Sequence, residues 1–141
     1  MSENKNTSCI FCKIARGEIP SYKVYEDNEI LAFLDINPAS RGHTLVVVKE
    51  HVDDVTKCPR HLLDRAFEVA QMIAQAMVSQ LGADGVNILT NAGEVAGQSV
   101  PHFHIHVIPR YLNDGLKLAF PPKQLENKEM EDLKDILNKA L

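Results

Sequence analysis

The chain has no tryptophan, only 6% aromatic residues, and three cysteines among its 141 residues. An odd, small number of cysteines gives no disulfide framework, so cohesion must come from apolar packing, as suits a reducing compartment. No apolar run approaches the roughly 20 residues that span a bilayer. Met1 to Ser8 is polar and lacks the apolar stretch of a secretory signal. These absences predict a cytoplasmic protein with no membrane partner. An excess of positive charge is also missing: 15 lysines and arginines against 19 acidic residues leave a net charge of -4. That argues against nucleic acid as a partner, which requires a clustered basic face. A small anion remains possible, because backbone N–H groups can cradle it on an acidic protein.

What is present suits one globular domain over 1–141, with a core at 9–111 and a tail at 112–141. Ile10 to Ala15 reads as a short helix or turn, stopped by Gly17 and Pro20. Lys23 to Glu26 and Ile30 to Leu34 read as strands around an Asp27-Asn28 turn, and Thr44 to Val48 as a buried β-branched strand. Pro59 suits the first turn of a long helix. Leu62, Ala66, Val69, Ile73, Met77 and Leu81 recur on one face of it up to Gly82. Gly85 to Thr90 and Phe103 to Ile108 complete five strands. After Pro121-Pro122, Leu133, Ile136, Leu137 and Ala140 make a helical stripe. This order predicts an α+β fold with a mainly antiparallel sheet, one long helix, a short N-terminal helix and a helical C-terminal tail.

The densest chemistry lies in Pro101-His102-Phe103-His104-Ile105-His106-Val107-Ile108. On a strand, residues two apart share a face, so the three imidazoles line up while Phe103, Ile105 and Val107 pack behind them. Neutral imidazole is a nucleophile near pH 7, and a second one can serve a leaving group. Metal binding is the other reading of such a cluster. Just upstream, Asn91 to Ser99 contains Gly93 and Gly97, which permit tight turning, with Asn91, Gln98 and Ser99 as side-chain donors. Directly before the histidines, this loop becomes a candidate phosphate cradle. Cys9-x-x-Cys12 is half a zinc site by spacing, and equally a redox pair or two buried thiols.

These residues resemble the histidine-triad (HIT) superfamily, whose signature is His-φ-His-φ-His-φ-φ with φ apolar; His102 to Ile108 matches throughout. The likeness extends through Cys9-Ile10-Phe11-Cys12-Lys13-Ile14, Phe33 to Pro38, Gly42 to Val46 and Gly97-Gln98-Ser99-Val100. It is similar above all to the Hint-like branch and its bacterial Cys-x-x-Cys members. The resemblance implies a HIT-like fold and attack by His104 on the α-phosphorus of a nucleotide, with water then releasing a nucleoside monophosphate. It implies His106 at the phosphate and bridging atom, with His43 bordering the same site. Asn91, Gly97, Gln98 and Ser99 would hold phosphate oxygens and Asp35 the ribose hydroxyls. Ile10, Phe11, Ile19, Phe33 and Ile36 would wall the base pocket; by residue type alone they are equally core. It also implies a structural zinc held by Cys9, Cys12, His51 and His102, and a homodimer. Cys58 and His61 have no implied role beyond packing or surface.

Three features depart from the Hint-like pattern: Pro101 before the triad, Ala96 in place of a frequent glycine, and a tail from Asn113 to Leu141 with no tryptophan-bearing ending. The leading expectation is hydrolysis of nucleoside phosphoramidates with release of AMP. A close second is hydrolysis of dinucleoside polyphosphates through the same intermediate. Two other classes are a metal-dependent hydrolase using His104 and His106 as open-site ligands, and a nucleotide-binding interaction protein with little turnover.

Overall fold

The structure, a computed structural model, describes residues 8–141. Five strands form one antiparallel sheet: β1 Lys23–Glu26, β2 Ile30–Leu34, β3 Thr44–Val48, β4 Gly85–Leu89 and β5 His104–Arg110. Their spatial order is β1-β2-β3-β5-β4, so the histidine strand is interior, paired on both sides. Helices α1 Ile10–Ala15, α2 Arg60–Leu81 and α3 Asn127–Ala140 complete the fold. No helix among the described residues is long and apolar enough to cross a membrane.

Period-two alternation sorts the sheet into two cores. Ile30, Ala32, Val46, Val48, Phe103, Ile105 and Val107 face α2 and meet its stripe of Leu62, Ala66, Val69, Ile73 and Met77. The alternate residues Leu31, Phe33, Leu45 and Val47 pack on the other side with Phe11 and Ile14 of α1. Strand β3 is buried over its whole length because both faces are covered, which is why its sequence reads as an unbroken apolar run. The α2 stripe ends where Gly82 takes a left-handed conformation at φ 69°, as a helix C-terminus favours.

Three boundaries differ from the sequence expectation. Strand β5 starts at His104 instead of Phe103 and runs on to Arg110, leaving His102 just ahead of the strand. Strand β4 stops at Leu89, and the Thr90 hydroxyl instead donates to the His104 carbonyl at 2.6 Å. Pro59 is the N-cap of α2, its carbonyl accepting from the Leu62 and Leu63 amides; lacking an N–H, it suits a position where none could be paired.

Candidate functional site

On the α1 face of the sheet lies a pocket of about 380 Å³. Its wall contains Ile10, Phe11, Ile19, Phe33 and Ile36, all five of the apolar residues expected from sequence, together with Asp35, Ser99, His104 and His106. The Phe11 ring stands edge-on to Phe33 at 5.7 Å and to His104 at 4.9 Å. No lysine or arginine is among the lining residues. Sequence reading missed Ile14, Leu45, Asn37 and Ser21 in this wall. Ser21 Oγ is the one buried side-chain N or O atom without a hydrogen-bond partner among the described residues, and a serine after a proline carries no sequence signal of that.

The ring nitrogens of the histidines are assigned by their partners. His104 Nδ1–H donates to the His102 carbonyl at 2.7 Å, so Nε2 carries the lone pair. The Ala39 amide donates to His43 Nδ1 at 3.0 Å, which leaves the hydrogen of neutral His43 on Nε2. That nitrogen stands 3.0 Å from His106 Nδ1 and donates to it, placing the His106 hydrogen on Nε2. Two separate sets of hydrogen bonds therefore fix a lone pair on His104 and an N–H on its neighbour. Asp35 Oδ1 accepts from the Asn37 amide at 2.9 Å, and Oδ2 lies 3.7 Å from His43 Nε2. Burial lowers the affinity of His43 and His104 for a proton, opposed by the Asp35 charge and, at His104, also by the bond to His102. His106 is pushed down to about 4, first by burial and then by the neighbouring His104 and His43. All three are neutral at pH 7.

Asn91, Gly97 and Gln98 do not line the pocket; of the expected phosphate cradle only Ser99 does. Asn91 Nδ2 lies 3.5 Å from the Gly97 carbonyl. The Gln98 side chain is engaged at both ends: Oε1 accepts from the Gly93 amide at 2.9 Å and Nε2 donates to the Asp53 carbonyl at 2.7 Å. Gly93 and Gly97 have φ of 93° and 103°, values that a residue with a Cβ rarely adopts.

Behind Phe11, the donor atoms of Cys9, Cys12, His51 and His102 lie within 4.8 Å of one another, a group that could hold a metal ion. His102 Nδ1 is 3.4 Å from Cys9 Sγ and 3.5 Å from Cys12 Sγ, and His51 Nδ1 is 3.2 Å from Cys12 Sγ. The outer nitrogens are both tied back: His102 Nε2–H to the Val48 carbonyl at 2.7 Å, His51 Nε2–H to Asp53 Oδ1 at 3.2 Å. Both inner nitrogens therefore face the thiols with free lone pairs.

An open antiparallel sheet with alternating histidines on an interior strand, facing an apolar pocket, defines a histidine-triad protein. The HIT domain family matches residues 16–113, and the chain belongs to that family. It is 46% identical over 129 residues to an uncharacterized HIT-like protein of Methanocaldococcus jannaschii, covering 91% of this chain and 98% of the relative. It is 41% identical over 115 residues to the adenylylsulfatase HINT3 of Arabidopsis thaliana, covering 82% and 58%. The crystal structure of a HIT family member from Bacillus subtilis superimposes with TM-score 0.89 at 41% identity, over 95% of this chain and 97% of that one. A Zn-bound histidine triad protein from Mycobacterium smegmatis gives 0.75 at 40% identity, over 95% and 98%.

Proposed function

We propose that the chain is a nucleotide hydrolase acting at an α-phosphate through a nucleotidyl intermediate on His104, with purine nucleoside phosphoramidates as substrates and AMP as product. The observation that carries this reading is the pair of fixed tautomers at the pocket: a lone pair on His104 Nε2 beside an N–H on His106 Nε2. In the first half-reaction an Nε2–P bond forms and the bond from phosphorus to the leaving nitrogen breaks. The leaving nitrogen accepts a hydrogen bond from His106 Nε2–H and departs as the amine with a proton drawn from solvent, so His106 stays neutral while the nucleotidylated His104 becomes cationic and is held by the His102 carbonyl. In the second half, water attacks phosphorus, the P–Nε2 bond breaks to restore neutral His104, and the proton of the attacking water returns to solvent. Covalent catalysis thus divides one displacement into two, and the rest is positioning. Asp35 would accept from the ribose hydroxyls, Ser99 and the neighbouring amides would meet the phosphate, and the apolar wall would take the base.

The relative named adenylylsulfatase also favours an adenylyl group; dinucleoside polyphosphates, sharing the intermediate, are the second reading. Metal-dependent hydrolysis is disfavoured. Asp35, His43 and His106 do converge, but the Ala39 amide keeps the hydrogen on the His43 nitrogen that a metal would need.

Zinc suits the separate Cys9, Cys12, His51 and His102 group. A tetrahedron with Zn–S of about 2.3 Å and Zn–N of about 2.0 Å has a sulfur-to-nitrogen edge of about 3.5 Å, near the spacings observed. Both histidines also have the outer-nitrogen partners typical of metal ligands. With four protein ligands the site would be structural, fastening α1 and the segment after β3 to the active-site strand. A homodimer belongs to the same reading, because α3 is exposed over its entire length, including Met130, Leu133, Ile136 and Leu137.

Adenosine phosphoramidate and diadenosine tetraphosphate, supplied side by side, test the proposal. We expect AMP from the first and an adenylyl-sized mass increase on the peptide carrying His104. His104→Ala should abolish both, with turnover falling by about 10⁴ or more. A strong preference for the tetraphosphate would replace the leading substrate, and turnover without any intermediate on His104 would overturn the mechanism.

A further inference from the structure

The segment after β3 joins two parts of the molecule that the reaction as described leaves separate. His51 lies on it and is tied to its Asp53 Oδ1, while His102 is tied to the carbonyl of Val48, the last residue of β3. The Phe103 amide also donates to the Val52 carbonyl. Asp53 then offers its backbone carbonyl in the opposite direction, to Gln98 Nε2 at 2.7 Å. Gln98 completes the link by accepting from the Gly93 amide at 2.9 Å, and its own amide donates to the Gly93 carbonyl at 3.1 Å. A glutamine committed at both ends of its amide has no spare hydrogen of the expected kind for a phosphate except the second one on Nε2.

We propose that Gln98 is a positioning residue. It clasps the Gly93–Gly97 loop to Asp53, so that a metal ion on the Cys9, Cys12, His51 and His102 group and an anionic nucleotide beside Ser99 strengthen each other's binding. This rests on the proposed nucleotide and metal sites. The coupling runs through one residue: an ion that orders His51 holds Asp53 Oδ1, and Asp53 in turn holds the loop carrying Ser99 to the pocket. Linkage makes the effect reciprocal. One hydrogen bond of ordinary net strength corresponds to a coupling of about fivefold.

The full-length protein is prepared zinc-free and zinc-loaded, as wild type, Gln98→Glu and Gln98→Met. The glutamate keeps an acceptor for Gly93 but turns a carboxylate toward the Asp53 carbonyl; the methionine removes both bonds. Zinc affinity is measured by competition with a chromophoric chelator, AMP affinity by calorimetry, and loop order by hydrogen exchange at 93–98, with α2 amides as the control for global folding. In wild type, zinc should tighten AMP binding about fivefold and slow exchange at 93–98 without changing α2. In both variants zinc affinity should fall by a similar factor, and AMP affinity should become indifferent to zinc. With adenosine phosphoramidate, the loss should appear in KM, with kcat little altered.

Equal loop exchange in zinc-free and zinc-loaded wild type overturns the coupling. Full zinc dependence surviving in both variants overturns the role of Gln98. A fall in kcat of the same size in both metal states would instead make Gln98 a direct contact to the reacting phosphate. Exchange and zinc affinity need no nucleotide, so absence of AMP binding would refute the nucleotide site while the clasp was still judged on its own.

Discussion

At the scale of single residues, the site depends on imidazoles kept neutral by burial. For His106 the unfolded chain binds a proton at the ordinary value of 6.5, while the folded protein holds it down to about 4. Between those values the unfolded state carries more protons, so this group's contribution to stability is present above pH 6.5 and lost as pH falls toward 4. The acid limb of kcat/KM should instead follow His104, whose attacking lone pair protonation removes; burial lowers that group, so the limb should lie below pH 6.5, as a pH profile between 4 and 8 would measure. Ser21→Ala removes a buried hydroxyl that has no partner; thermal unfolding should show stability unchanged or raised by about 1 kcal/mol. The three alternating histidines were legible from sequence because the strand period is fixed and their apolar neighbours announce the buried face. Their proposed division of labour came only from the family resemblance, since the tautomers that support it depend on the Ala39 amide and the His102 carbonyl. Gln98 was legible as a donor but not as a clasp: an amide serves a backbone carbonyl as readily as an anion.

At the scale of elements, β5 is held by neighbours on both sides, while α1 is too short to persist alone and depends on what anchors its start. Cys9 caps it, Sγ accepting from the Cys12 amide at 3.4 Å, and both thiols turn toward the histidine group. If that group holds zinc, chelation should loosen α1 before the sheet, seen as faster amide exchange in residues 10–16 and weaker nucleotide binding through the displaced Phe11. The β2–β3 connection makes a second, independent demand. Gly42 has φ 104°, and a Cβ there would lie 2.7 Å from Leu81 Cδ1. The leucine can rotate but the backbone cannot relax cheaply, so Gly42→Ala should cost about 1–3 kcal/mol in denaturant unfolding. Most elements were readable from their periodicity. The edges that moved, at Thr90 and Phe103, are places where a hydroxyl or a carbonyl outside the ladder captured the backbone bond.

Across the whole molecule, the tail is the part whose sequence pattern most exceeded what it could locate. The spacing of Leu133, Ile136 and Leu137 predicted a helix, and α3 is one; nothing in the spacing says what its stripe would cover. In a single chain the stripe meets solvent, a disposition associated with interaction surfaces. With a second copy covering α3, the full protein should sediment as a dimer and a chain ending at Pro122 as a monomer. The pocket has a different consequence. Its lining supplies no fixed cation, so nothing in it draws phosphate by net charge. KM should change by less than about threefold from low to physiological ionic strength, where cation-lined sites are progressively screened. In a cell crowded with polyphosphates and nucleic acids, an opening whose one fixed charge is the Asp35 carboxylate does not concentrate polyanions; for the proposed nucleotide ligands, discrimination would fall to the shape of the base and sugar.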